Sequence, residues 1–245
     1  MTLVVGFNLG TYALMVADTR ASHADGTHAD GDEKIQETDI GIISGAGLVD
    51  LLDPVKRRIA ETRTLSHTTE ILAIIREERE RLEGVSRLYD PRVLQIFEHT
   101  TWMFSYLAGE NPKTVDDMSM RLAIPHPKTG DLHLALVNRC RILAPSGTTE
   151  EQAVDWLNRI DGHVRSLAHG DDIWDNIWHH VRVGVTLLHD VAAVNSQVSK
   201  SFQFGIHSIP HDFFISEVMN VGDPLAWKIM PERLKNKTAS EDGSD

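Results

Sequence analysis

The sequence predicts an α+β fold in which a sheet lies between helices and a second sheet, and three observations carry that expectation. Two runs at the head of the chain, Leu3 to Phe7 and Tyr12 to Ala17, are apolar at nearly every position rather than at alternate ones, so both faces of their sheet must be covered. Segments with helical spacing of apolar residues fall in two blocks, one in each half of the chain, which supplies two helical layers. Further strand-like runs lie between the blocks. At 245 residues and 41% apolar content the chain can bury a sizeable core, and no repeat or internal linker divides it. One domain over residues 1–230 is expected, followed by a polar, frayed tail from Pro231 to Asp245.

The first two strands are joined by a turn at Asn8-Leu9-Gly10. Residues Ser22 to Glu33 are rich in His, Asp, Gly and Ala; His23 and His28 fit no metal-ligand spacing, so a solvated loop is expected. The apolar run from Ile40 to Ile43 breaks at Gly45 and Gly47 and enters a helical pattern. In that pattern Leu48, Leu51, Leu52, Val55 and Ile59 recur on one face to about Arg63, with Asp53-Pro54 marking a late start. A second helix is read from Thr69 to Glu83, where Ile71, Leu72, Ile74, Ile75 and Leu82 line one side and Arg76 to Arg81 alternate in charge as a solvated face does. Asp90-Pro91 opens a short helix carrying Val93, Leu94 and Phe97. Thr101 to Ala108 reads as a core strand, and Met118 to Ile124 and Leu132 to Val137 as two more around the turn residues 125–131.

In the second half, Thr148 with Glu151 makes a capping box ahead of a helix to about Leu167, and Asp172 to Val194 gives another. Trp174, Ile177, Trp178, Val181, Val185 and Leu188 form its apolar stripe, the pattern of a core or subunit contact. Asp175 and His179 are four apart with His180 beside them, yet no third metal ligand accompanies them. His189-Asp190 resembles a relay pair, and Phe202 to Ile209 is a final strand.

The chemistry concentrates at the N-terminus. Thr2 stands directly behind Met1, and trimming of Met1 would leave a threonine whose hydroxyl and α-amine share one residue. Such an amine titrates near ~8, low enough to take the hydroxyl proton at neutral pH. Asp18 follows sixteen positions later and Lys34 sixteen beyond that. Lys34 fits the role of holding the threonine oxygen and disfavouring protonation of the amine, with Asp18 orienting and balancing it. The Gly45-Ala46-Gly47 turn, leading into a helix, is suited to presenting backbone N–H groups to an oxyanion.

With Thr2, Asp18-Thr19-Arg20, Lys34 and Gly45-Ala46-Gly47-Leu48-Val49-Asp50, the head of the chain resembles a proteasome β-type N-terminal nucleophile hydrolase. The patch Asn195-Ser196-Gln197-Val198-Ser199, ahead of Phe202, is most similar to the bacterial Anbu branch, where a serine likewise precedes the last core strand. Proteasomes usually carry an aspartate three residues before that serine; here the position is Ser196. The resemblance implies a four-layer αββα sandwich with Thr2, Asp18, Lys34, Gly47 and Ser199 as site residues. It further implies a peptide or protein substrate, no cofactor or metal, and self-association into a ring or open spiral. A related acylase, a ligase passing the acyl group to an amine, and a non-catalytic assembly subunit of the same fold are the alternatives.

Composition sets further bounds. A formal charge of −12 without a segregated basic patch argues against nucleic acid. The lone Cys140 excludes an internal disulfide framework and suits a reducing cytoplasm. No signal-peptide pattern or membrane-length apolar run is expected to direct the chain elsewhere.

Overall fold

The computed structural model describes residues 2–22, 27–62, 65–85, 91–109, 118–168, 172–209 and 212–220. The expected tail, the 230/231 boundary and His23 lie outside the described residues. β1 (Val4–Asn8) and β2 (Tyr12–Asp18) pair antiparallel, and every residue in both is buried. β10 (Arg139–Leu143) flanks β1, β11 (Ser201–Ser208) flanks β2, and β12 (Asp212–Ile215) and β13 (Met219–Asn220) both pair with β11. A second antiparallel sheet runs β5 (Ile35–Thr38), β6 (Gly41–Ala46), β7 (Thr101–Ala108), β8 (Ser119–Pro125) and β9 (Leu132–Leu134) in chain order. β3 (Ala21–Ser22) and β4 (His28–Ala29) form a small hairpin within the expected solvated loop, with His28 exposed.

Strand alternation divides the core into three apolar clusters. Leu14 and Val16 of β2 pack with Val181, Val185 and Leu188 of α5 (Ile173–Val194) and Ile160 of α4 (Glu150–Asp161). Met15 and Ala17, their neighbours on the same strand, pack instead with Ile42, Met103 and Leu122 of the second sheet. The other face of that sheet, through Ile43, Phe104 and Ala123, meets Leu51 and Val55 of α1 (Val49–Glu61), Ile71 and Ile75 of α2 (Thr68–Val85) and Phe97 of α3 (Pro91–Glu98). Each buried Leu, Ile or Phe side chain contributes about 1.5–3 kcal/mol to folding. The sheets approach so closely at Gly6 that a Cβ there would sit 2.2 Å from the Met103 sulfur. Among the described residues no helix is long and apolar enough to cross a membrane.

Several boundaries differ from the sequence expectation. α1 starts at Val49, with Pro54 inside it rather than at its head; one proline near a helix start removes one backbone bond without ending the helix. The capping box is Thr149 with Gln152, not Thr148 with Glu151, and the Thr148 hydroxyl donates to Pro145 O at 2.7 Å. α4 stops at Asp161 before Gly162, short of Leu167. β9 ends at Leu134, leaving Leu136 71% exposed, and the chain reverses through Asn138 (φ 58°) into β10. The charge alternation of α2 is not wholly solvated: Glu78 and Arg79 are buried, Glu78 between Arg58 at 3.1 Å and Arg81 at 2.7 Å.

Candidate active site

The candidate site is organised around Asp18, the last residue of β2 and fully buried. The β1–β2 pairing carries on beyond the strands, since the Asp18 N–H donates to Leu3 O at 3.1 Å. In return Asp18 Oδ1 accepts the Leu3 N–H at 2.6 Å, which fixes the peptide immediately following Thr2. Oδ2 accepts the N–H groups of Arg20 and Ser199, each at 3.1 Å. Three backbone donors therefore converge on one carboxylate. Burial pushes the Asp18 carboxyl up to about 6, against the opposing pull of these three donors and of the Lys34 charge.

Thr2 is 2% exposed. Lys34, just before β5, is 3% exposed and is fixed at its backbone by Gln203 of β11, whose Oε1 accepts the Lys34 N–H at 2.9 Å and the Ile35 N–H at 2.8 Å. One glutamine thus ties the second sheet to the first beside the site. The Lys34 ammonium pairs with Asp32 and bears on Asp18 through charge rather than contact. Lys56 of α1 stands near, its Nζ donating to Glu33 O at 3.0 Å; burial first and the Lys34 charge second hold its pKa down.

Ser199 is fully buried, and its Oγ accepts the Thr19 N–H at 3.1 Å and donates to Ser201 O at 2.7 Å. The hydroxyls of Thr19 and Ser201 complete a chain of three, joined by a short Thr19–Ser201 hydrogen bond. Ser196, three residues before Ser199, contributes only its carbonyl, which accepts from Arg20. Gly47 closes the other side of the second sheet with φ +138°, and a Cβ there would lie 2.2 Å from Thr100 Oγ1. Only glycine fits. Thr100 Oγ1 in turn accepts the Leu48 N–H at 2.8 Å and donates to Ile96 O at 2.8 Å, so the turn is braced from behind by one threonine.

No family model matches this sequence, and no curated protein does. Among solved structures, a Gly-1 mutant of Anbu from Hyphomicrobium sp. strain MC1 superposes with a TM-score of 0.59 at 13% identity, covering 100% of this chain and 98% of that one. A second structure of Anbu from the same organism gives 0.58 at 12% identity, with 99% and 97% covered. The chain has the Anbu fold. At this identity the likeness is one of architecture, and it spans both chains nearly end to end.

The other titratable groups singled out in the sequence stand apart from this cluster in the Anbu-like fold. His180 is fully buried in α5, its Nε2 accepting the Arg165 N–H at 3.1 Å, so Nδ1 carries the proton and donates to Asn176 O at 2.8 Å. Burial pushes it down to about 4, a neutral core histidine. His179 bonds His163 O at 2.8 Å, Asp175 is exposed, and among the described residues no group of His, Cys, Asp and Glu could hold a metal ion. Asp190 pairs with Arg159 at 2.7 Å, while His189 is exposed. Cys140 is buried, its thiol pushed up to about 12 by burial and by Asp161.

Sequence reasoning missed Asp32, Gln203 and Ser44. Asp32 sits in an acid-rich loop that reads as solvated, and a polar residue inside an apolar strand is the only signal Gln203 offers. Ser44, fully buried, is paired in register with Ile35, the residue after Lys34, and its hydroxyl has no partner among the described residues.

Proposed function

We propose that the protein is an N-terminal-threonine hydrolase of amide bonds, a proteasome-like peptidase built as a four-layer αββα sandwich. Removal of Met1 frees the Thr2 amine. The Thr2 hydroxyl attacks a substrate carbonyl carbon while the amine accepts its proton, and the Gly47 turn stabilises the resulting oxyanion. Collapse expels the substrate amine, which takes that proton, and leaves an ester on Thr2. Water then cleaves the ester and regenerates the hydroxyl. Lys34 supplies the cation beside Thr2; Asp18 holds the peptide behind Thr2 and balances that charge, and Ser199 closes Asp18 from the far side. The working form is a cytoplasmic homo-oligomer, a ring or spiral, made from the single domain at 1–230, with peptides or proteins as substrate.

One observation supports this reading above the rest: the Leu3 N–H to Asp18 bond at 2.6 Å ties the residue after the nucleophile to a buried carboxylate that feels the Lys34 charge. The likeness of fold to Anbu supports the oligomer. The test joins intact-mass measurement with turnover of short fluorogenic peptides, run with and without added amines to separate hydrolysis from acyl transfer. The expected results are loss of Met1, and near-complete loss of turnover in Thr2→Ala and in Lys34→Ala with the fold retained. A fully active Thr2→Ala protein would refute the mechanism.

A further inference from the structure

A cavity of about 760 Å³ opens on the helical side of the second sheet, between α2, α3 and the β8–β9 turn. Its apolar walls are Leu72 and Ala73 of α2, Leu94 and Phe97 of α3, and Pro125 and Pro127 of the turn. Two buried polar residues also line it: Arg79, 9% exposed, and Trp102, 1% exposed. Arg79 donates to Phe97 O at 3.2 Å and to Thr100 O at 2.6 Å, and its guanidinium lies 4.8 Å from the centroid of the Phe97 ring. Those contacts satisfy part of a five-donor group and none of its charge. Among the described residues its Nε–H and the Trp102 indole N–H have no acceptor, and the adjacent Glu78 is spent on Arg58 and Arg81. Among the described residues no carboxylate reaches Arg79 as an ion pair; Glu83 acts on it only through charge.

A buried cation without a counter-ion, at the wall of an apolar cavity, is an arrangement that an incoming anion completes. The rim narrows the class. Arg76 and Lys128 are exposed there, but so are Glu80 and Glu98, so the rim offers no surplus of positive charge to hold a polyanion and leaves a single carboxylate to Arg79. We propose that this cavity binds a monocarboxylate with a compact apolar body, its carboxylate on Arg79 and its body against Leu72, Leu94, Phe97 and the two prolines.

The occupant shares a wall with the Gly45–Gly47 turn. Arg79 grips Thr100 O, while the same Thr100 holds the Leu48 N–H and fills the space beside Gly47. The Trp102 indole nitrogen lies 3.3 Å from where a Gly45 Cβ would stand. Filling the cavity therefore stiffens the segment at 45–52, whatever chemistry occurs on the other side of it.

A free acid and the terminal carboxylate of a peptide present the same group, and the experiment separates them. The full chain is titrated calorimetrically with N-acetylleucine, with N-acetylleucinamide, and with a short acetylated peptide ending in a free leucine carboxylate. Hydrogen exchange of residues 45–52 is followed in parallel. The acid is expected to bind at least about tenfold more tightly than the amide and to slow exchange in that segment. Equal binding by the peptide assigns the site to chain ends, whereas binding by the small acid alone assigns it to free acids. Arg79→Met is expected to abolish the preference for acid over amide. Ala73→Phe fills the cavity while leaving Arg79 in place, and is expected to abolish binding in a folded protein. Equal affinity for acid and amide would overturn the proposal by showing a cavity that selects apolar bodies without regard to charge, and no heat and no protection up to about 10 mM acid would overturn it by showing a cavity occupied by water alone.

Discussion

Asp18 and Arg79 are both charged, both buried and both held by backbone, yet the chain treats them in opposite ways. Asp18 receives three N–H donors, from Leu3 and Ser199 elsewhere along the chain and from Arg20 two residues on, and it feels a cation at Lys34. Arg79 gives two hydrogen bonds to the carbonyls of Phe97 and Thr100, and among the described residues its Nε–H has no acceptor and no anion is paired to it. The first charge is part of how the fold closes, since without it the N–H donors just before β1, just after β2 and at the entry to β11 lose their acceptor. The second is a charge that the fold positions and leaves open. A buried polar group saturated by its own chain reports on architecture, and one left unsaturated reports on a ligand.

Substitution at Asp18 should break this contrast most visibly. In Asp18→Asn one side of the amide is a donor, so whichever way it faces, at least one of the N–H groups of Leu3, Arg20 and Ser199 loses its acceptor. Leaving such buried donors unpaired and adding a donor–donor contact is expected to cost on the order of 3 kcal/mol in chemical denaturation. The turnover proposed for Thr2 should fall even where the protein still folds, because either the peptide after Thr2 or the Arg20 and Ser199 segments behind it lose their anchor. A variant as stable as the parent would mean that the three bonds contribute nothing net.

The same contrast explains what could be read before any coordinates. β1, β2, β6 and α1 were legible because their signals are local in sequence: unbroken apolar strands, and a glycine turn ahead of an amphipathic helix. β10 was missed because Arg139 and Arg141 interrupt an edge strand that is apolar on one face only, and β5 because Gln36 and Glu37 do the same. Gln203 and Asp32 act through backbone N–H groups and a loop ion pair, for which sequence carries no periodic signal. Arg79 was misread for a related reason. Charge alternation along α2 marks a solvated face only if nothing packs over it, and here α3 and Thr100 cover that position.

Arg79→Met should show the smaller stability change of the two. It gives up two hydrogen bonds to carbonyls but removes an uncompensated buried charge and adds apolar packing against Phe97, so the net shift is expected within about 1 kcal/mol of zero. Loss as large as that of Asp18→Asn would show that Arg79, too, is structural, and would weaken the case for an occupant of the cavity.

The finest test uses pH, where Asp18 meets a third buried group, His180. With a folded pKa raised to about 6 from 3.8, Asp18 holds its proton in the native state while the unfolded chain has released it, so its contribution to stability falls as pH rises from about 4 to 6. His180 runs the other way: pushed down to about 4 from 6.5, it stays neutral when the unfolded chain protonates, so its contribution is lost as pH falls from 6.5 to 4. The windows overlap with opposite slopes, each at most about 1.4 kcal/mol per pH unit, and their sum is nearly flat. The charges facing Asp18 are Lys34 and, on its own strand end, Arg20; those facing His180 are His179 and Arg165. Asp30, Glu70 and Glu78, whose carboxyls are held below their ordinary values, add a loss of stability on acidification, so the His180 slope is read in the difference between parent and variant rather than in the parent alone. His180→Gln removes that slope and should gain stability relative to the parent as the solution is acidified from pH 6.5 to 4 in chemical denaturation. A variant whose stability tracks the parent's across the interval would show that burial does not hold His180 neutral.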